Sequence, residues 1–62
     1  MTREIMDIHQ LAEYLGISKQ HAYKLAKNKE IPYAKIGRLI RFMKSSVDEW
    51  ITKKSQKGVS NG

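Results

Sequence analysis

The side chains able to do chemistry in this chain are cations. Eight of them, Lys19, Lys24, Lys27, Lys29, Lys35, Arg38, Arg41 and Lys44, fall between Ile17 and Lys44 against one acid, Glu30, a local balance of +7. The flanks carry Arg3, Lys53, Lys54 and Lys57 against Glu4, Asp7, Glu13, Asp48 and Glu49, which is −1. The formal net charge of +6 therefore resides entirely in the middle segment. Ion pairing to a phosphate-bearing polymer is the chemistry such a set offers. Gln20, His21 and Tyr23 lie among the lysines and make the same stretch polar and aromatic as well as cationic.

Other chemistries fail on inventory. With no cysteine there are no disulfides, thiolate metal sites or thiol nucleophiles, and two isolated histidines do not make a structural zinc site. The acids are scattered, no Ser-His-Asp arrangement is suggested, and no glycine-rich phosphate cradle is present. Neither catalysis nor a cofactor nor a metal is expected. No apolar run approaches the ~18 residues of a membrane span, so the expected setting is soluble and cytoplasmic. Sixty-two residues make one small domain, whose core supplies no more than about 3–5 kcal/mol.

The elements that must position these cations follow from local signals. Asp7 and Gln10 have the spacing of a capping box, and Ile8, Leu11, Ala12 and Leu15 form one apolar stripe over two turns. Gly16 suits the left-handed position that ends a helix, Ile17 plugs the turn, and Ser18 caps the next helix. That is the minimal spacing of a helix-turn-helix. The second helix, roughly Lys19 to Asn28, buries Ala22, Leu25 and Ala26 and turns Gln20, Lys24 and Lys27 away from that stripe, with His21 and Tyr23 on either side. Its small alanines allow a close helix crossing.

Ile31-Pro32 stops the helix. Tyr33 to Ile36 and Ile40 to Phe42 then alternate like strands, joined through Gly37-Arg38-Leu39. With period two, Ala34, Ile36, Ile40 and Phe42 are expected on the inner face and Tyr33, Lys35 and Arg41 outside. A third helix is expected from Ser45 or Ser46, with Ser45 and Asp48 as a second capping pair and Val47, Trp50 and Ile51 as its stripe. Lys53 and Lys54 suit its last turn. The domain is expected to span residues 1–54, followed by a disordered polar tail at 55–62.

Each functional reading stands beside a plainer one. Most lysine-rich helix faces are simply solvated; this one follows a two-residue turn and precedes a basic hairpin, which favours nucleic acid. Arg38 at the hairpin tip, with Lys35 and Arg41, either protects an edge or reaches a phosphate or minor groove, and its place beside Gly37 favours the latter. For His21, contact and plain exposure stand level, whereas His9 reads as a surface residue. Tyr23 either meets the sugar-phosphate surface or packs beneath the hairpin. Tyr14 either covers the core rim or helps a protein dock. Trp50 reads as a core anchor, and the methionines form no stripe.

Taken together, Asp7 to Ser18, Tyr23, Ile31-Pro32, Lys35 to Arg38, Ile40 to Phe42 and Val47 to Trp50 resemble the excisionase-family helix-turn-helix domain. That small winged-helix module is related to the DNA-binding part of MerR-like regulators. The resemblance covers roughly residues 5–52. It implies a small α+β winged helix-turn-helix of three helices, with a two-stranded β-hairpin wing between the second and third. It also implies a recognition helix in the major groove, using Ser18, Lys19, Gln20, His21, Tyr23, Lys24 and Lys27. The wing, with Lys35, Gly37, Arg38 and Arg41, is implied in an adjacent minor groove.

The function expected on this basis is sequence-specific binding of double-stranded DNA, as an excisionase-like architectural factor assisting site-specific recombination. A small transcriptional regulator of a mobile element, or a protein-binding adaptor using Tyr14 and the tail, are the alternatives. The expected partners are duplex DNA and either a recombinase or integrase or further copies on adjacent sites, in a bacterial or phage nucleoid setting. No small-molecule effector is expected, because the long coiled coil and effector domain of a full MerR-like regulator are not in this sequence.

Overall fold

The computed structural model describes residues 4–58. Along them run β1 (Ile5–Met6), α1 (Ile8–Leu15), α2 (Lys19–Lys27), β2 (Ala34–Ile36), β3 (Leu39–Met43) and α3 (Lys44–Gly58). The strands form one antiparallel sheet in the order β1-β3-β2, so the architecture is a small α+β winged helix-turn-helix. The sheet has one strand more than expected: Ile5 pairs with Met43 and Met6 with Phe42.

Local chemistry sets the helix-turn-helix. The Asp7 carboxylate accepts from the Gln10 N–H at 2.8 Å, and the Gln10 side-chain oxygen accepts from the Asp7 N–H at 2.9 Å. This closes the capping box, and Met6 and Leu11, both fully buried, hold positions whose contact fixes the entry angle of the chain. At the far end Gly16 lies at φ 70, while Gly16 and Ile17 donate to the carbonyls of Glu13 and Ala12 at 3.2 and 3.0 Å. These are the two hydrogen bonds of a Schellman termination. Ser18 then caps α2, its hydroxyl oxygen accepting from the His21 N–H at 3.1 Å.

The end of α2 repeats the Schellman pattern with a different residue. Lys29 donates to Ala26 at 3.1 Å and Glu30 to Leu25 at 2.9 Å, but the left-handed position is held by Lys29 at φ 56. No glycine relieves it. Ile31 dives into the core immediately afterwards, joining Met6, Leu11, Ala12, Ala22, Phe42 and Val47. Every element but β2 contributes to this cluster. Burying a side chain the size of Phe42, Met6, Leu11 or Val47 stabilises by about 1.5–3 kcal/mol each.

The hairpin corrects the expected alternation. Ile36 pairs with Leu39, Lys35 with Ile40 and Ala34 with Arg41, so the connection is the two-residue turn Gly37-Arg38. Directly opposed residues share a face, and a slip of one residue moves every side chain to the other side. Ile40 and Phe42 do face inward. Ala34 and Ile36 instead share the outer face with Leu39, Arg41 and Met43. Lys35 and Arg41, expected on one outward face, therefore lie on opposite faces of the ribbon.

The start of α3 corrects a second expectation. The helix follows β3 without a break, and its cap comes from β1's flank rather than from a Ser45–Asp48 box. The Lys44 N–H donates to the Glu4 carbonyl at 2.6 Å, and the Ser45 hydroxyl donates to the Glu4 carboxylate at 2.9 Å. Thus Glu4 satisfies donors at the helix N-terminus, which also favours its negative charge. Asp48 is engaged elsewhere: it accepts from the Tyr14 hydroxyl and pairs with Lys44 Nζ at 3.0 Å. Trp50 and Ile51 pack half-buried against the core, with Lys54 Nζ 5.1 Å from the indole ring. The backbone of residues 55–58, expected to begin the tail, continues α3, as Lys, Gln and Ser permit. The remainder of that tail, residues 59–62, lies outside the described residues.

Candidate nucleic-acid interface

The face of α2 turned to solvent carries the residues that periodicity selects. Ala22 is fully buried and Leu25 and Ala26 are half-buried, while Lys19, Gln20, His21, Tyr23, Lys24 and Lys27 are all exposed. No acid stands in the helix's first turn, and Lys24 and Lys27 lie in its last. Ser18 is also exposed, but its oxygen already accepts the capping hydrogen bond, which leaves its proton as the group free to donate.

The wing is built by its turn. Gly37 has φ 63 and Arg38 does not share the positive φ, the pattern of a hairpin turn that needs glycine at its first position. Arg38 thus occupies the extreme tip, exposed, one residue beyond Leu39. Lys35 is exposed on one ribbon face; Arg41 on the other is half-buried, its guanidinium donating to the Ile40 carbonyl at 2.9 Å.

Helix and wing meet around two clefts. One, of about 350 Å³, is walled by Tyr23 from α2, Arg38 and Arg41 from the wing, and His9 from the first turn of α1. The other, of about 320 Å³, is walled by Tyr23, Lys27, Lys29 and Tyr33. Tyr23 lines both, and it is 56 % exposed, so it forms the ridge between them. A residue of the helix face and the residue at the wing tip therefore open onto one surface.

Two residues that sequence reasoning left out join this surface. His9, read as a bland surface group, shares a cleft wall with Arg38 and Arg41. Lys29 lines the other cleft beside Lys27. Neither carried a local signal beyond its charge or ring, because both are placed by tertiary structure. Conversely, Lys44 leaves the set of free cations. Its ammonium pairs with Asp48 and lies 5.4 Å from the centre of the Tyr14 ring. The hydrogen bond from Tyr14, then that from Lys44, holds the Asp48 carboxyl below the usual carboxylate range. The bond to Asp48 pushes Lys44 above the usual lysine range. Tyr14 is thus tied into a bridge between α1 and α3 and packs half-buried at the rim of the core.

Among the described residues no cluster of His, Asp and Glu is arranged to hold a metal ion, and no helix is long and apolar enough to cross a membrane. A two-residue turn between helices, a cationic second helix and a basic wing define a winged helix-turn-helix module. The chain belongs to a helix-turn-helix domain family, whose model matches residues 5–55. Membership implies sequence-specific binding to double-stranded DNA. Among curated proteins and solved structures, nothing matches the chain.

Proposed function

We propose that the protein binds duplex DNA with α2 in the major groove and the wing at an adjacent minor groove, as an excisionase-like architectural factor. The observation that supports this reading is the cleft that Tyr23 of α2 shares with Arg38 at the wing tip. Lysine and arginine neutralise phosphates and release counterions. Gln20 reads an adenine edge through its amide, and Lys24 or His21 reads guanine. Lys19, Lys27, Lys29 and Tyr23 position the helix on the backbone.

The ribbon's divided charge supports the wing assignment. Lys35 and Arg41 stand on opposite faces just behind the tip. A minor groove about 6 Å wide has a phosphate strand on either side, so a tip set into it brings one cation towards each strand. One module of this kind covers only about 600–1,000 Å² of its own surface. Useful specificity then calls for further copies on neighbouring sites, or for a recombinase alongside.

The test is a salt titration of duplex affinity with the full chain, followed by a footprint of the site. Of the eight central cations Lys44 is paired, leaving seven, so the log–log slope should be negative and no steeper than about −6. A flat slope, or no duplex bound, would refute the DNA reading. Footprints at recombination ends support the excision role, and footprints confined to a promoter overturn it in favour of a regulator.

A further inference from the structure

The wing tip carries more than charge. Ile36 and Leu39 are paired across the turn and stand 56 % and 53 % exposed. They project from the same ribbon face, directly behind Gly37 and Arg38. In a chain of 62 residues, where core side chains are scarce, placing two large aliphatic groups at an exposed turn costs stability. An apolar tip beside the free edge of β2 also invites aggregation. The Arg41–Ala34 pair separates this tip from the other exposed apolar pair on that face, Ile5 and Met43, while Leu39 also borders the cleft beside Tyr23.

We propose that Ile36 and Leu39 form a wedge that enters a minor-groove base step and partly unstacks it, bending the duplex away from the wing. This rests on the DNA reading above and adds a mechanism of deformation to it. The occupant follows from charge complementarity. Arg38 leads the tip, and Lys35 lies one residue behind Ile36 and Arg41 two residues behind Leu39 on the two strands, so the apolar groups are delivered between phosphates. Apolar side chains set between base steps kink DNA by about 20–90° towards the major groove. The steps that yield most easily are pyrimidine–purine steps, TA and CA. The wing thereby selects sequence without reading a base edge.

The experiment uses the full chain and a duplex recovered by selection from a randomised library, labelled at both ends for energy transfer, with 2-aminopurine at the step under the wing. Binding is read by anisotropy, bending by energy transfer, and unstacking by 2-aminopurine brightening. The wild-type complex should be bent and bright. The double variant Ile36→Ser/Leu39→Ser, altered only at exposed positions, should keep its circular dichroism and bind within about tenfold, yet leave the duplex straight and dim. A straight wild-type complex, or a variant that bends DNA as fully, overturns the wedge while leaving DNA binding intact. No anisotropy change on any duplex overturns both. Free wild-type protein that sediments as a dimer, with the variant a monomer, assigns the patch to a second copy and overturns the wedge.

Discussion

Replacing Lys29 with glycine should make the protein more stable and its grip on DNA weaker. Lys29 sits at φ 56, where a residue with a Cβ loses about 1–2 kcal/mol. Glycine returns about 0.4–1 kcal/mol of that gain by widening the unfolded ensemble. The two terminating hydrogen bonds run through backbone atoms of Lys29 and Glu30 and survive the change. The net gain is about 0.5–1 kcal/mol, and each kcal/mol moves Tm by about 4–8 °C in a domain this small. A thermal melt by circular dichroism should therefore shift upward by about 2–8 °C. Lys29 lines the cleft beside Tyr23 and Lys27, so on loss of its charge the salt slope of duplex binding should become shallower by about 0.9. Lys29→Asn, which tolerates the left-handed region better than lysine, should give a smaller rise with the same change in slope. An unchanged or lower Tm refutes the strain. A higher Tm with an unaltered slope removes Lys29 from the interface.

Arg38→Ala should weaken binding to every duplex and leave the melt unchanged, since Arg38 is exposed at the wing tip; unaltered affinity would remove the wing from the interface. Gln20→Ala should change base preference in a selection experiment more than it changes mean affinity, and a uniform loss across scrambled sites would make it a positioning residue. Asp48→Asn should flatten the acid limb of stability. The Asp48 carboxyl is held low by Tyr14 and Lys44, so its contribution is complete above the unfolded value of about 3.9 and is lost as pH falls through the lower folded value. Urea midpoints of wild type and variant should thus differ at neutral pH and converge in acid, and a constant gap contradicts the bridge. Phe42→Ala removes a fully buried ring, at a cost of about 3–5 kcal/mol. That is as large as the whole stability expected of such a core, so the variant should be unfolded by circular dichroism.

What the sequence disclosed was local chemistry. Asp7 with Gln10, Gly16 with Ile17, and Ser18 each act within one turn of chain, and all three behave as their residue types require. The face of α2 was legible for the same reason: a 3.6-residue period sorts Ala22 from Lys24 without knowledge of any neighbour. The hairpin was legible in kind but not in register, because Ile36 and Ile40 are both apolar and only the turn length decides which faces inward. Two residues, Ile5 and Met6, carry no period at all, so β1 was invisible until its partners at Phe42 and Met43 were known. The part Glu4 plays at the start of α3 is equally nonlocal, spanning 41 residues to Ser45.

The same distinction explains which residues of the candidate surface were legible in the sequence. Lys24 and Arg38 stand out by position within a helix and a turn, whereas Lys44 counts as a cation in the sequence and as half of an ion pair in the fold. His9 and Lys29 gain their place only because α1, α2 and the wing converge around Tyr23. Tyr23 is therefore a more telling position than any single lysine. A lysine tolerates displacement along a phosphate strand, but Tyr23 walls both clefts. Shortening its side chain to alanine should therefore disturb helix and wing contacts together. Losses from Tyr23→Ala and Arg38→Ala then fail to add, since residues sharing one cleft couple.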